Sequence, residues 1–199
     1  MTMRVLIAGI LGGIAMYIWS TVAHVALPLG QVGFSQMPNE AAVLSAAQAS
    51  NGAKDGLYFF PWVDPKDPQM MQKEAAAIKT NPSGLLLYHP PGHGMTDMAG
   101  PMIAEFVKEA VQALIAAVLL SLAVVPAYWG RVGFVTLIGV AAAITTNVSY
   151  WIWYGFPADY SLAAVFIELM DYVAAGLAIA WWLGRRSAKA LPVAATAAP

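Results

Sequence analysis

Apolar residues gather into four long runs, and the longest polar stretch separates the first run from the second. The runs extend from about Val5 to Leu27, Met102 to Ala127, Val132 to Tyr154 and Ser161 to Leu183. With a helical rise of about 1.5 Å per residue, each is long enough to cross a hydrocarbon core of about 30 Å. The pattern predicts an all-α membrane protein, a four-transmembrane-helix bundle with a small α+β extracytoplasmic cap between spans 1 and 2. The corresponding segments are 1–27 for the first span, 28–101 for the cap, and 102–127, 132–154 and 161–183 for the other spans. Residues 184–199, rich in alanine, read as a disordered cytoplasmic tail.

A cleaved signal peptide is the competing reading of the first run, since Arg4 supplies a positive start and Thr21-Val22-Ala23 a passable cleavage site. The length of the run and the presence of Tyr17 and Trp19 favour a retained span. Gly9 and Gly13 make a small-xxx-small pair, which suits close packing within the bundle more than a dedicated dimer face.

The stretch from Pro28 to Pro101 is polar and rich in proline and glycine, and it contains a doubled unit. Asn39 caps a helix from Glu40 to about Ser50, followed by a strand-like Gly56 to Pro61. Asp67 caps a second helix, with Pro68 in its first turn, that runs to about Lys79 and precedes Gly84 to Pro90. Two helix-then-strand units let the short strands pair. A cap of this size is too small to stand alone and is expected to rest on the mouth of the bundle.

Composition agrees with the runs. Of 199 residues, 59% are hydrophobic and 11% charged, against roughly 45–50% and 25% in soluble domains. A net charge of −1 offers no field for nucleic acid, so none is expected as a partner. The absence of cysteine excludes disulfides, thiolate nucleophiles, iron–sulfur clusters and Cys-ligated zinc. Arg4, Arg131, Arg185, Arg186 and Lys189 all fall on one side of a four-span topology. The positive-inside rule then places both termini in the cytoplasm and the cap in the periplasm of a bacterial inner membrane. The lipid bilayer is the first partner implied, with other membrane proteins as possible neighbours.

Candidate chemistry lies in a polar band at the outer half of the bundle. Glu105, Lys108, Glu109 and Gln112 share a face of the second span, and Glu168 and Asp171 share a face of the fourth. Asn147 and Tyr150 on the third span and Tyr17, Ser20 and His24 on the first lie at similar levels. Charged groups at such depth cost at least about 2.5 kcal/mol each unless they are paired, protonated or hydrated. Acids outnumber Lys108 and His24, which calls for a protonated carboxyl, a bound cation or an aqueous cavity. Three readings fit: a hydrated network that fixes helix register, an ion, proton or small-ligand site, and an interface with a polar span of another protein.

The loop from Tyr88 to Met98 carries His89, His93, Met95 and Met98, a set of imidazole and thioether ligands that suits copper. Its competing reading is a tight re-entry turn with local hydrogen bonds. No other cofactor is implied. Haem ligation by His24 and His89 is disfavoured because only His24 lies in a span. The chain has no G-x-S-x-G, no HExxH and no glycine-rich phosphate loop, so nothing marks it as an enzyme.

Trp19, His24, Leu27-Pro28-Leu29, Pro38-Asn39-Glu40, the Gly56 to Pro61 strand and Tyr88-His89-Pro90 together resemble a group of small bacterial four-span membrane proteins. The resemblance covers nearly the whole chain except the tail and implies the fold, but no activity. The residues themselves point to a polar, acidic cavity that binds or passes a cation, proton or small polar ligand. A non-catalytic accessory or scaffold subunit and an extracytoplasmic copper-handling protein are the alternatives.

Overall fold

The computed structural model describes residues 2–51, 54–94 and 97–185. The expected tail, including Arg186 and Lys189, lies outside the described residues. In chain order the elements are α1 (Met3–Thr21), a π-helical turn (Val22–Ala26), a 3-10 turn (Leu29–Gln31), α2 (Glu40–Asn51), β1 (Gly56–Phe60), α3 (Met70–Ile78) and β2 (Gly84–Tyr88). They are followed by α4 (Ala99–Leu122), α5 (Tyr128–Ala143), a second π-helical turn (Ile144–Val148), α6 (Ser149–Tyr154) and α7 (Ala158–Gly184).

Among the described residues, three helical stretches are long and apolar enough to cross a membrane: Met3–Ala26, Tyr128–Tyr154 and Ala158–Gly184. The fourth expected span differs from these. At 24 residues α4 is long enough, but Glu105, Lys108 and Glu109 lie so close together that every stretch of 18 residues in it carries all three. Its bounds also shift from the expected 102–127. Pro101 sits in its first turn, where a missing N–H is harmless. At the other end Ala123 turns extended, with ψ 144°, ahead of Pro126.

α1 is the central helix. It packs along α4 on one side and α7 on the other, while α5 packs on α7, and α4 and α5 meet only briefly. Small residues make these approaches possible. A Cβ on Gly13 would lie 2.6 Å from the Cα of Ala110, one on Gly9 2.7 Å from the Cα of Leu114, and one on Gly12 2.9 Å from Ile179. The glycine pair thus packs inside the bundle, as expected from its position. Around it Ala8, Met16, Ala113, Ala116, Ala117, Val135 and Ile179 form a close-packed middle.

Between α1 and α4, β1 and β2 pair antiparallel, with Leu57 opposite Leu87 and Phe59 opposite Leu85. Asn39 takes a left-handed φ of 54°, which asparagine tolerates, and its carbonyl accepts from Ala42 and Val43 to open α2. α3 starts at Met70, later than the expected Pro68, because the Asp67 carboxylate accepts from the Gln69 N–H at 2.8 Å and pairs with Lys73. The turn this closes comes before the helix. The expectation that this region rests on the bundle mouth is not met: among the described residues, none of α2, β1, α3 or β2 packs extensively on a long helix. The mouth is met instead by the 3-10 turn, which packs on α7 and the first π turn, and by Phe34, whose ring stands edge-on to Tyr160 at 5.5 Å.

The glycine contacts generate a stability test. Gly13→Val should destabilise the protein by about 1–3 kcal/mol through overpacking against Ala110. Gly133→Ala on α5, where an added Cβ meets nothing within 4 Å, should stabilise it by up to about 1 kcal/mol. Denaturant unfolding in detergent micelles, followed by far-ultraviolet circular dichroism, measures both. Equal midpoints for the two variants would refute the tight α1–α4 contact.

Candidate functional site

A cavity of about 400 Å³ opens between α1, α4, α7 and the π turn after α5. It collects most of the polar band read from sequence: His24 with Ser20 from the first helix, Glu105, Lys108 and Gln112 from α4, Asn147, and Glu168 and Asp171 from α7. Their convergence follows from helical spacing on antiparallel neighbours, which brings the start of α4 and the start of α7 beside the end of α1.

Both π turns carry a cavity residue. His24 lies in Val22–Ala26 and Asn147 in Ile144–Val148. A π turn adds one residue to a helical turn and so re-aims the side chains that follow it. At the first, the Leu27 N–H reaches the Val22 carbonyl at 2.9 Å. His24 Nδ1 sits 2.9 Å from the Ser20 carbonyl. With Nδ1 as the donor, Nε2 is left as an acceptor. Gly30, in the 3-10 turn, lies directly on the imidazole, and any Cβ there would collide with it.

The charges are unevenly paired. Lys108 Nζ contacts Glu105 Oε1 at 2.6 Å, one helical turn away. Asn147 Nδ2 donates to Glu168 Oε2 at 2.9 Å and to the Ala143 carbonyl at 3.2 Å. Asp171 is 7% exposed, and its Oδ1 has no hydrogen-bond partner among the described residues. Among the described residues Lys108 forms an ion pair with one of the three carboxylates that line the cavity, and Glu168 and Asp171 form none.

Glu109 is set apart from the other residues of its face. It is fully buried beside Ser20 and Glu105, which line the cavity, and does not line the cavity itself. Two other band residues are engaged by aromatic contacts. Tyr17 stands edge-on to Phe106 at 5.5 Å, and Tyr150 stacks with Tyr154 and Phe156.

Sequence reasoning missed Phe34, Thr146, Tyr160 and Tyr172, which also line the cavity. Phe34 reaches it only because the chain after Pro28 folds back over the helix ends. No periodicity announces such a turn.

The second candidate, in the loop after β2, has a different geometry from the one its sequence suggests. His89 Nδ1 lies 2.8 Å from Asp55 Oδ1 and His93 Nδ1 lies 3.1 Å from Asp55 Oδ2. Both imidazoles thus share one carboxylate, contributed by the residue before β1. Met98 is 60% exposed, Met95 lies outside the described residues, and among the described residues no group of three His, Cys, Asp or Glu side chains is arranged to hold a metal. The haem pair does not form either, because His24 lines the bundle cavity while His89 sits on Asp55.

No protein-family model, curated protein or solved structure matches the chain.

The Asp55 cluster yields a pH prediction. Hydrogen bonds from His89 and then His93 hold the Asp55 carboxyl below its ordinary value. A lowered pKa stabilises the fold above the unfolded value of about 3.9, and the contribution is lost as pH falls through the folded value. Amide exchange of 56–60 and 84–88 should therefore accelerate as pH drops below about 4, after correction for intrinsic exchange. Asp55→Asn should show the faster exchange already at neutral pH. Identical protection in the variant and the wild type would remove this role.

Proposed function

We propose that this chain is an integral protein of a bacterial inner membrane in which α4 is the fourth span, and that the acidic cavity binds or passes a small cation. The outer surface of α4 supports the first part. Ile103, Val107, Val111, Ile115 and Leu119 recur at every fourth position and are all more than 40% exposed, whereas Glu105, Lys108 and Gln112 face the cavity. A helix with its aliphatic stripe outward and its charges inward suits lipid better than water. Arg4, Arg131 and Arg185 at one end support cytoplasmic termini, with 28–101 on the periplasmic side.

The observation that carries the cation reading is Asp171. A carboxyl with a buried oxygen lacking a partner among the described residues, on a cavity of about 400 Å³ where acids outnumber cations, supports a positively charged occupant. The volume falls within the range of small-ligand sites. Gating is open to an alternating arrangement or a simple binding role; the chemistry of recognition is the same in both.

A second reading, a non-catalytic accessory subunit of a larger membrane complex, draws on the two-stranded sheet. Leu57 and Leu87 are cross-strand neighbours that are 68% and 66% exposed, with Trp62 nearby in sequence at 69%. An apolar sheet face of this kind suits a protein contact. Co-purification of a second membrane protein at fixed stoichiometry would favour it.

Two experiments test the main reading. In this cysteine-free chain, an impermeant thiol reagent applied to intact cells should label a cysteine placed at Asn51 and spare one at Ser187. The reverse pattern would overturn the orientation. Titration with sodium, potassium and tetramethylammonium, followed by the fluorescence of Trp19, reports on the cavity, because the Trp19 indole donates to the Ile167 carbonyl at 3.1 Å beside Glu168. Asp171→Asn and Glu168→Gln should each weaken the response by about tenfold or more, as expected when one member of a buried charge pair is neutralised. Unaltered responses in both isosteric variants, or none to any cation in the wild type, would overturn the site.

A further inference from the structure

A second cavity, of about 590 Å³, opens at the opposite end of the bundle, between the start of α1, the end of α4 and the start of α5. Its polar walls are Arg4, Arg131, Thr2 and Ser121. The rest is largely aliphatic, from side chains such as Val118, Leu122 and Val125. Among the described residues no carboxylate lines it. Every one of the chain's 11 acidic residues lies between Glu40 and Asp171 in sequence, and those of the long helices sit near the other end.

Both guanidiniums are held in place by neutral acceptors. Arg4 Nη2 donates to the carbonyls of Leu183 and Trp182 at the end of α7. Arg4 is fixed a second time through its own carbonyl, which accepts from Trp182 Nε1 at 3.1 Å. Arg131 Nε donates to the Val125 carbonyl at 2.8 Å. A guanidinium has five N–H donors, so each arginine is oriented by one nitrogen and keeps others for a ligand. Among the described residues neither forms an ion pair with an acid. Two fixed positive charges that share one cavity without a counter-charge call for an anion. Planar forks of this kind match the oxygens of phosphate.

The cavity is amphiphilic and too large for phosphate alone, and its aliphatic wall asks for an apolar continuation of the ligand. We infer that it is a binding site for the phosphate headgroup of an anionic phospholipid, with the acyl region against Val118, Leu122 and Val125. The inference rests on the membrane placement proposed above, which puts this end of the helices at headgroup depth, where basic pockets between spans bind such lipids. It is independent of the acidic cavity.

Native mass spectrometry of the full chain, delipidated in detergent and titrated with single lipids, tests it. The wild type should retain phosphatidylglycerol at a concentration about tenfold lower than phosphatidylcholine, the selectivity expected of charge-assisted contacts. The Arg131→Gln variant should lose that preference. Arg131→Lys, which keeps the charge and removes the fork, should keep part of it and serves if the glutamine variant does not fold. Lys108→Gln, at the far end of the bundle, should retain the preference in full. Equal retention of the two lipids by the wild type, or a preference unchanged in both Arg131 variants, would overturn the site. Displacement of phosphatidylglycerol by millimolar inorganic phosphate, with phosphate binding in its place, would overturn the lipid assignment in favour of a soluble anion. Labelling of Asn51 and Ser187 cysteines reads membrane placement separately, so a failure there is distinguishable from a failure here.

Discussion

The backbone of α1 lies against α4 and α7 at separations that glycine permits and larger residues do not. Gly9 and Gly13 receive α4, and Gly12 receives Ile179 of α7. Alanines at 8, 113, 116 and 117 continue the same close approach. With glycine and alanine at the points of closest approach, the middle of the bundle is filled by dispersion contacts and leaves little room for water. Space opens only toward the helix ends, where longer side chains stand. The acidic cavity and the arginine cavity both lie there, separated by the packed waist.

That division sorts the charges. Carboxylates occupy one end, arginines the other, and the waist between them carries none exposed to either cavity. The arginines cap the carbonyls that end α7 and follow α4, groups that a helix terminus leaves unsatisfied. At the opposite end, the carboxylates find fewer donors. Glu105 has Lys108 and Glu168 has Asn147, but among the described residues Asp171 Oδ1 has none. Unsatisfied groups of this kind cost about 1–3 kcal/mol or more each.

The two π turns add local control. An uninterrupted α-helix through 22–26 or 144–148 would present different residues to the cavity, and these turns instead bring His24 and Asn147 to it. Asn147 is then within reach of Glu168 on α7. Gly30 completes the arrangement, since only a residue without a Cβ lets the 3-10 turn close over the His24 ring.

The long helices, the two strands and most of the polar band are legible from residue order, because helical and strand periodicities are local properties and burial of a charge in an apolar run is conspicuous wherever the run folds. Glu105, Lys108, Gln112, Glu168 and Asp171 belong to this class: spacing alone places them on two inward faces. Tertiary structure decided what spacing leaves open. It set Glu109 behind the cavity lining, fully buried. It brought Asp55 to His89 and His93 through strand pairing across more than 30 positions. It also carried Phe34 to Tyr160 and Arg4 to the end of α7, contacts between segments remote in sequence. Each of these depends on how elements pack against one another, and the free energy of that packing is not written in any one segment.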